Sequence, residues 1–251
     1  MKIAVVTGAS SGIGQATARC LAEAGTAVVL TYNGNADGAA ATVATIEDAG
    51  GSAVALPLDV GDSTAFARFA TDVAELADAR WQRRLIDGLV NNAGFGASAL
   101  FEETSEELFD QLYRVLLQGP YFLTQALVPH LADGAAIVNV ASSSATTALT
   151  AGYSAYATMK GALMVTTRAM AKELAARGIR VNCVSPGPTR TRLGGDAFAT
   201  MPELIAPLAA ETAMGRIGEP DDVGRAIAAV LSDDFAWMTG QHLEVSGGYR
   251  L

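Results

Sequence analysis

Seven short apolar, β-branched runs recur along the chain. They are KIAVVT (Lys2 to Thr7), AVVLTY (Ala27 to Tyr32), SAVALPL (Ser52 to Leu58), LIDGLVNN (Leu85 to Asn92), AAIVNVA (Ala135 to Ala141), IRVNCVS (Ile179 to Ser185) and HLEVSG (His242 to Gly247). Each is apolar almost without interruption, as a strand buried on both faces must be. Helices are predicted between them over roughly 12–25, 36–49, 63–79, 105–131, 153–177 and 221–232. The stretch 105–131 is long enough for two helices, with the break expected at Gly119-Pro120. Regular strand–helix alternation predicts an α/β fold, a doubly wound parallel sheet with helices on both faces and right-handed crossovers. No linker, charge run or repeat divides residues 1–251, so one domain is expected. The one long irregular segment, about 186–219, is rich in Gly, Pro and Thr. A loop of that length inside a compact domain usually has a function, and a substrate-covering lid is expected at about 188–216.

Composition narrows the partners. Half of the 251 residues are apolar and 17% are charged, so a sizeable core can form. The formal net charge is -9 and Lys and Arg do not cluster, which argues against nucleic acid or an anionic membrane as a partner. Cys20 and Cys183 read as small buried hydrophobes of a reducing compartment, and no Cys/His spacing suits a metal. His130 and His242 each stand alone. Met1 and Lys2 run straight into a strand, and no apolar run approaches the ~18 residues that would span a bilayer, so the cytoplasm is the expected location.

Two motifs carry chemistry. The turn Thr7-Gly-Ala-Ser-Ser-Gly-Ile-Gly14 follows the first strand and enters a helix. Its glycines at 8, 12 and 14 suit a tight turn, close approach of a pyrophosphate, and tight packing of helix on strand. The helix N-terminus then offers free N–H groups to phosphate. Farther on, Tyr156 and Lys160 stand four residues apart in YATMK, on one helix face. A free Tyr titrates near pH ~10, and a neighbouring cation favours its phenolate, so the pair suits general acid–base catalysis. A Ser-rich strand end, Val140 to Ser144, lies just upstream.

TGASSGIG, Asn91-Asn-Ala-Gly94, a Ser before YxxxK, Ser185-Pro-Gly187 and Val245-Ser-Gly-Gly248 stand in this order along the whole chain. In these motifs the chain resembles the single-domain short-chain dehydrogenase/reductases, above all bacterial members of the 3-oxoacyl-carrier-protein reductase kind. The resemblance implies a Rossmann-type sheet of seven parallel strands, a nicotinamide dinucleotide, and hydride transfer between a ketone and a secondary alcohol. It implies that Tyr156 is the general acid–base and that Lys160 bonds the nicotinamide ribose and lowers the Tyr pKa. For the serine that bonds the substrate oxygen, strand register points to Ser142, and counting back thirteen residues from Tyr156 points to Ser143. The strand end sets the direction, which favours Ser142. Gly8, Ser10, Ser11, Gly12, Ile13 and Gly14 would line the dinucleotide, with Asp59 and Val60 at the adenine. Asn91, Ala93 and Gly94 would lie along the cofactor, and Pro186, Gly187, Thr189 and Thr191 would hold the nicotinamide amide and diphosphate. A helix N-cap is the structural alternative for Asp59, and bracing of the sheet is the alternative for the Asn pair. One position departs from the family. Leu116 stands in Val115-Leu-Leu-Gln-Gly119 where an Asn is usual. That Asn supports a helix kink and a water in the proton relay, and Leu can do neither by hydrogen bond.

The cofactor choice follows from charge. The second strand ends Thr31-Tyr32-Asn33, with no carboxylate to bond a ribose 2′-OH and no Arg or Lys to hold a 2′-phosphate. NADP(H) is favoured, with Asn33, Ser10, Ser11 and Thr31 as phosphate contacts, and NAD(H) is the alternative. Phe95, Leu149, Tyr153, Leu193, Phe198 and Met201 suggest an apolar substrate pocket. An acidic chain suits an acidic carrier protein poorly, so a small or medium ketone is an equal candidate. A non-catalytic dinucleotide sensor, or a lyase or dehalogenase on the same fold, is the rival reading; such relatives lose the Tyr, the Lys or the glycines, all kept here. The helices at about 105–131 and 153–177 are apolar beyond one stripe, with Ala157, Leu163, Met164, Thr167, Met170 and Leu174 on the second, which predicts a homotetramer or homodimer.

Overall fold

All seven apolar runs form strands of one parallel sheet, in the order β3-β2-β1-β4-β5-β6-β7, in a computed structural model that describes residues 1–251 other than Gly194. The strands are β1 (Ile3–Val6), β2 (Ala27–Tyr32), β3 (Ala53–Pro57), β4 (Ile86–Asn91), β5 (Leu131–Val140), β6 (Arg180–Pro186) and β7 (His242–Val245). The chain runs outward from β1 to β3, then returns to β4 on β1's other side. The unbroken apolar runs follow from this arrangement. Ile3 and Val5 face one hydrophobic core with Phe69, Val73, Leu123 and Leu127, while Ala4 and Val6 face another with Leu21, Ile46, Val223 and Ile227. The first core is roofed by α3 (Phe66–Trp81), α5 (Gly119–Leu127) and α6 (Ser154–Leu174), the second by α1 (Gly12–Glu23), α2 (Ala36–Asp48) and α9 (Pro220–Leu231).

Three boundaries differ from the sequence expectation. The predicted helix 105–131 does not break at Gly119-Pro120. It runs from α4 (Glu106–Tyr113) through one π turn, Arg114–Gln118, directly into α5. Pro120 lacks the N–H of an α-helical step, and a π turn ahead of it absorbs that loss without ending the helix. A Cβ at Gly119 would lie 2.3 Å from the Val60 carbonyl oxygen, so the helix presses on the loop after β3 at that point. β5 begins at Leu131, inside the predicted helix, because Leu131 pairs with Ile86 before the register shifts to Gly88↔Ala136. The segment 186–219 is only partly irregular. It holds α7 (Leu193–Thr200), a 3-10 turn at Pro202–Leu204 and α8 (Ile205–Ala210). Bridges Thr189↔Gly218 and Thr212↔Tyr249 pin its ends. Arg216 grips Asp222 with two hydrogen bonds, 2.6 and 3.0 Å, and these pull the Asp222 carboxyl down to about 2. Among the described residues no helix is long and apolar enough to cross a membrane.

Candidate active site

The C-terminal ends of β1, β4, β5 and β6 converge on one edge of the sheet, the place where open parallel sheets bind ligands. After β1 the chain turns through Gly8 and Gly12, both with positive φ (64° and 58°), a conformation other residues resist. A Cβ at Gly8 would lie 2.8 Å from Ala93 Cα. One at Gly14 would lie 2.4 Å from Asn92 Nδ2 and 2.5 Å from the Gly8 oxygen. The glycine turn is therefore pressed flat against the end of β4. Asn92 Nδ2 holds it there, donating to the carbonyls of Thr7 (2.8 Å) and Gly8 (3.2 Å). The Thr7 hydroxyl oxygen accepts the N–H groups of Asn92 (2.9 Å) and Ala93 (3.0 Å). Ser11 is the N-cap of α1 but its side chain caps nothing, so the first-turn N–H groups are available to an anion. A cradle with no room for a Cβ, opening on an uncapped helix start, fits the diphosphate of a dinucleotide.

The catalytic candidates come from β5 and α6. β5 delivers Ser142 to the rim, where its Oγ accepts the Ser144 N–H at 3.2 Å, leaving its own O–H to donate. Ser142 stands within hydrogen-bonding reach of the Tyr156 hydroxyl and favours the phenolate. Ser143 is 3% exposed and lies inside the turn, its carbonyl accepting from Thr146 and Ala148. Of the two serines, Ser142 faces the phenol. Tyr153 packs edge-on against Tyr156, ring centroids 5.9 Å apart. Lys160, one turn on, is buried, sits 5.9 Å from the Tyr156 ring centroid and donates to the Val140 carbonyl at 2.7 Å. Burial dominates the electrostatics of this pair. It pushes the Tyr156 phenol up to about 12, against a downward pull from Ser142 and with a small upward push from Tyr153. It pushes the Lys160 ammonium down to about 8. The expected lowering of the Tyr pKa by Lys160 is thus not what these residues do by themselves, because both charged forms are desolvated and the ammonium is directed at Val140. At neutral pH Tyr156 carries its proton.

Leu116 is 1% exposed and packs with Leu112, Ala155, Tyr156 and Met159 behind the phenol. The helix distortion expected only of an Asn is present here as the π turn, with hydrocarbon in the Asn's place. Gly94 adjoins the same group: a Cβ there would lie 2.9 Å from Leu116 Cδ2 and 3.9 Å from Lys160 Nζ.

The remaining predicted positions separate into two sets. Asn91 does not face the cofactor side. It is buried, and its amide donates to Thr124 (2.9 Å) and Asn139 (2.8 Å), with Asn139 donating on to Thr167 (2.9 Å). It braces the sheet, whereas its neighbour Asn92 reaches the glycine turn, because successive strand residues point to opposite sides. Asp59 is exposed and accepts the Gly61 N–H at 2.8 Å. The helix-capping alternative belongs instead to Asp62, which accepts the Thr64 N–H at 3.0 Å. Val60 is buried beside it. Ile13 and Ala93 are half-buried along the turn, and Asn33 is exposed after β2. Pro186 ends β6, Gly187 packs on Ser246, and Thr189 is buried with its hydroxyl on the Gly187 carbonyl (2.9 Å). Thr191 lies against Gly12, so the segment after β6 meets the glycine turn. The apolar set is also divided. Phe95 and Tyr153 pack at Tyr156, Leu149, Leu193 and Met201 are exposed, and Phe198 lies elsewhere, over the glycine turn.

Phe198 helps line a cavity of about 670 Å3 between the segment after β6 and the glycine turn. Ser10, Ser11 and Asn35 form one wall, and Arg190, Thr191 and Arg192 the other. Neither arginine is among the residues expected from the sequence; their signal there is the TRTR spelling inside the expected lid. No group of three or more potential metal ligands occurs among the described residues.

Substituting Ala for Ser142 should lower kcat by roughly 10²-fold, the scale of one lost positioned donor, while Ser143→Ala leaves kcat near wild type. Steady-state kinetics on the two variants decide between them, and the reverse pattern would put the serine one residue on.

A family model described as an enoyl-(acyl carrier protein) reductase matches residues 8–250. An uncharacterised oxidoreductase of Methylorubrum extorquens is 41% identical over 99% of this chain and 98% of its own. A fungal short-chain dehydrogenase/reductase, FrzI of a Cladobotryum species, is 35% identical over 98% of this chain and 95% of its own. Among solved structures, the promiscuous reductase LugOII, which catalyses keto-reduction at C1 during lugdunomycin biosynthesis, superposes with a TM-score of 0.93 at 36% identity, covering 99% of this chain and 97% of its own. The angucycline C-6 ketoreductase LanV, solved with bound NADP, gives 0.93 at 33% identity, covering 99% and 95%.

Proposed function

Since the chain belongs to the short-chain dehydrogenase/reductase family, we propose that it is an NADPH-dependent ketoreductase that turns a ketone with an apolar body into a secondary alcohol. The observation that carries this reading is the buried, protonated Tyr156 with Ser142 at its hydroxyl and Lys160 one turn away, beside a glycine cradle of dinucleotide shape. A bound reduced dinucleotide supplies the hydride for the carbonyl carbon. Ser142 donates a hydrogen bond to the carbonyl oxygen and orients it. Tyr156 holds the proton that this oxygen takes as the C–O bond becomes an alcohol, and is left as phenolate. Lys160 stabilises that phenolate by its charge and holds the ribose with the N–H groups that Val140 does not use. With its pKa raised by burial to about 12, the phenol carries at neutral pH the proton that reduction needs. Phe95 and Tyr153 favour an apolar substrate body, in keeping with the ketoreductases among the similar structures. The net charge of -9 disfavours docking of an acidic carrier protein, and the cytoplasm is the proposed location. Absorbance of reduced nicotinamide, followed across a ketone panel with NADPH and NADH in parallel, tests the reading. Tight NADPH binding without turnover on any ketone would favour a sensor instead.

NADPH should bind more tightly than NADH, and Asn33→Asp should reverse the order. A carboxylate at the end of β2 repels the 2′-phosphate and accepts from a 2′-OH, an effect of about 1–3 kcal/mol. Titration of both dinucleotides against wild type and variant measures it, and equal or tighter NADH binding by the wild type would overturn it.

The protein should be a homodimer or homotetramer. Ala157, Leu163 and Thr167, expected to face a partner, are buried within the chain itself. The exposed large apolar side chains of these helices are instead Phe109 and Tyr113 on α4, Tyr121 and Phe122 on α5, and Val165 on α6. Light scattering at micromolar concentration checks the mass, and a monomer would refute association.

A further inference from the structure

The cavity between lid and glycine turn holds two cations that the proposed chemistry does not use. From its placement we infer that Arg192, on the lid, selects NADP(H) over NAD(H) by pairing with the ribose 2′-phosphate. The inference rests on the dinucleotide reading above.

Location comes first. Ser10, Ser11 and Asn35 wall the cavity on the side of the turn where β2 gives way to α2. A ribose held at a β1–α1 turn directs its 2′ substituent toward the end of β2. Charge comes second. The end of β2 carries no basic side chain, and Asp37 lines the same wall, so the bare wall would repel a phosphate dianion. Arg190 and Arg192, from the opposite wall, are the basic residues lining the cavity.

The two arginines differ in availability. Arg190 is committed: its Nε donates to Glu219 at 3.0 Å, and its backbone N–H to Gly218 at 2.9 Å. Arg192 precedes α7 with an exposed side chain and, among the described residues, has Asp196 as its ion-pair partner, at 3.9 Å. An exposed ion pair at that separation contributes little. A phosphate offers the guanidinium a bidentate partner of higher charge, so Arg192 exchanges Asp196 for it. Selection for NADP(H) then lies on the lid, about 160 residues beyond β2 in sequence, and phosphate binding favours the lid position seen here.

Calorimetric titration of NADPH, NADH, adenosine 2′,5′-bisphosphate and AMP against wild type, Arg192→Ala and Arg190→Ala tests this. For Arg192→Ala, affinity for NADPH and the bisphosphate should fall about tenfold, with NADH and AMP changed less than about twofold, and the salt dependence of NADPH binding should flatten. Arg190→Ala should leave the NADPH/NADH ratio near wild type. Equal losses for both dinucleotides would place Arg192 on the diphosphate, and unchanged NADPH affinity would remove it from recognition; either overturns the inference while leaving the ketoreductase reading intact. A wild type that binds no dinucleotide overturns both.

Discussion

Tyr156→Phe should lower kcat at least about 10³-fold, some 4 kcal/mol of transition-state stabilisation, while leaving the dissociation constant for NADPH almost unchanged. The ring of Tyr156 is buried among Leu116, Met159 and Tyr153, and Phe keeps those contacts. What is lost is the phenol's proton, beside Ser142. Neither Ser142, whose ordinary hydroxyl is a far weaker acid, nor Lys160, held by Val140, can replace it. The same phenol sets the pH dependence. Burial raises its pKa to about 12, so the protonated form needed for reduction is present throughout the neutral range, and reduction should hold level at neutral pH and fall above pH about 8 as Lys160 loses the charge that stabilises the phenolate. Oxidation of the alcohol needs the phenolate and should climb across the same range. Stopped-flow or steady-state rates in both directions, with titrations of NADPH, provide the check. A variant keeping more than roughly a few per cent of wild-type kcat, too much for the loss of the essential acid, would sink the assignment.

Gly14→Ala should destabilise the protein by about 2–5 kcal/mol and weaken dinucleotide binding, although it adds one methyl group. That methyl would lie 2.4 Å from Asn92 Nδ2 and 2.5 Å from the Gly8 oxygen. Neither neighbour is free to move. The Asn92 amide carries the hydrogen bonds to Thr7 and Gly8 that hold the turn on β4, and the Gly8 oxygen is one of their acceptors. Relief of the clash therefore leaves polar groups unpaired. Gly161→Ala on α6 is the contrast: the nearest atom to its added Cβ is 3.9 Å away, and helix propensity predicts stabilisation of up to about 1 kcal/mol. Urea unfolding of the two variants measures the difference. A Gly14→Ala protein as stable as wild type, with wild-type NADPH affinity, would show that the turn is not packed in this way.

The sequence by itself determined what short-range chemistry can encode. Unbroken apolar runs meant strands covered on both faces, and all seven are in the sheet. Glycines at 8, 12 and 14 announced a turn with no room for side chains, and the spacing of Tyr156 and Lys160 placed both on one face of α6. Only the tertiary structure decided matters that depend on partners remote in sequence. Leu131 is a strand residue because Ile86 is there to pair with it. Asn91 turns inward to Asn139 while Asn92 braces the glycine turn, a matter of register that the pair of letters does not reveal. Ser142 rather than Ser143 meets the phenol because the 3-10 turn after β5 buries the second serine. The Tyr156 pKa rises, against the expectation from its lysine neighbour, because burial is a property of the whole fold. The arginines at 190 and 192 share a cavity with Ser10 and Ser11 only because the segment after β6 folds back toward the glycine turn, and no pattern within either segment records the other.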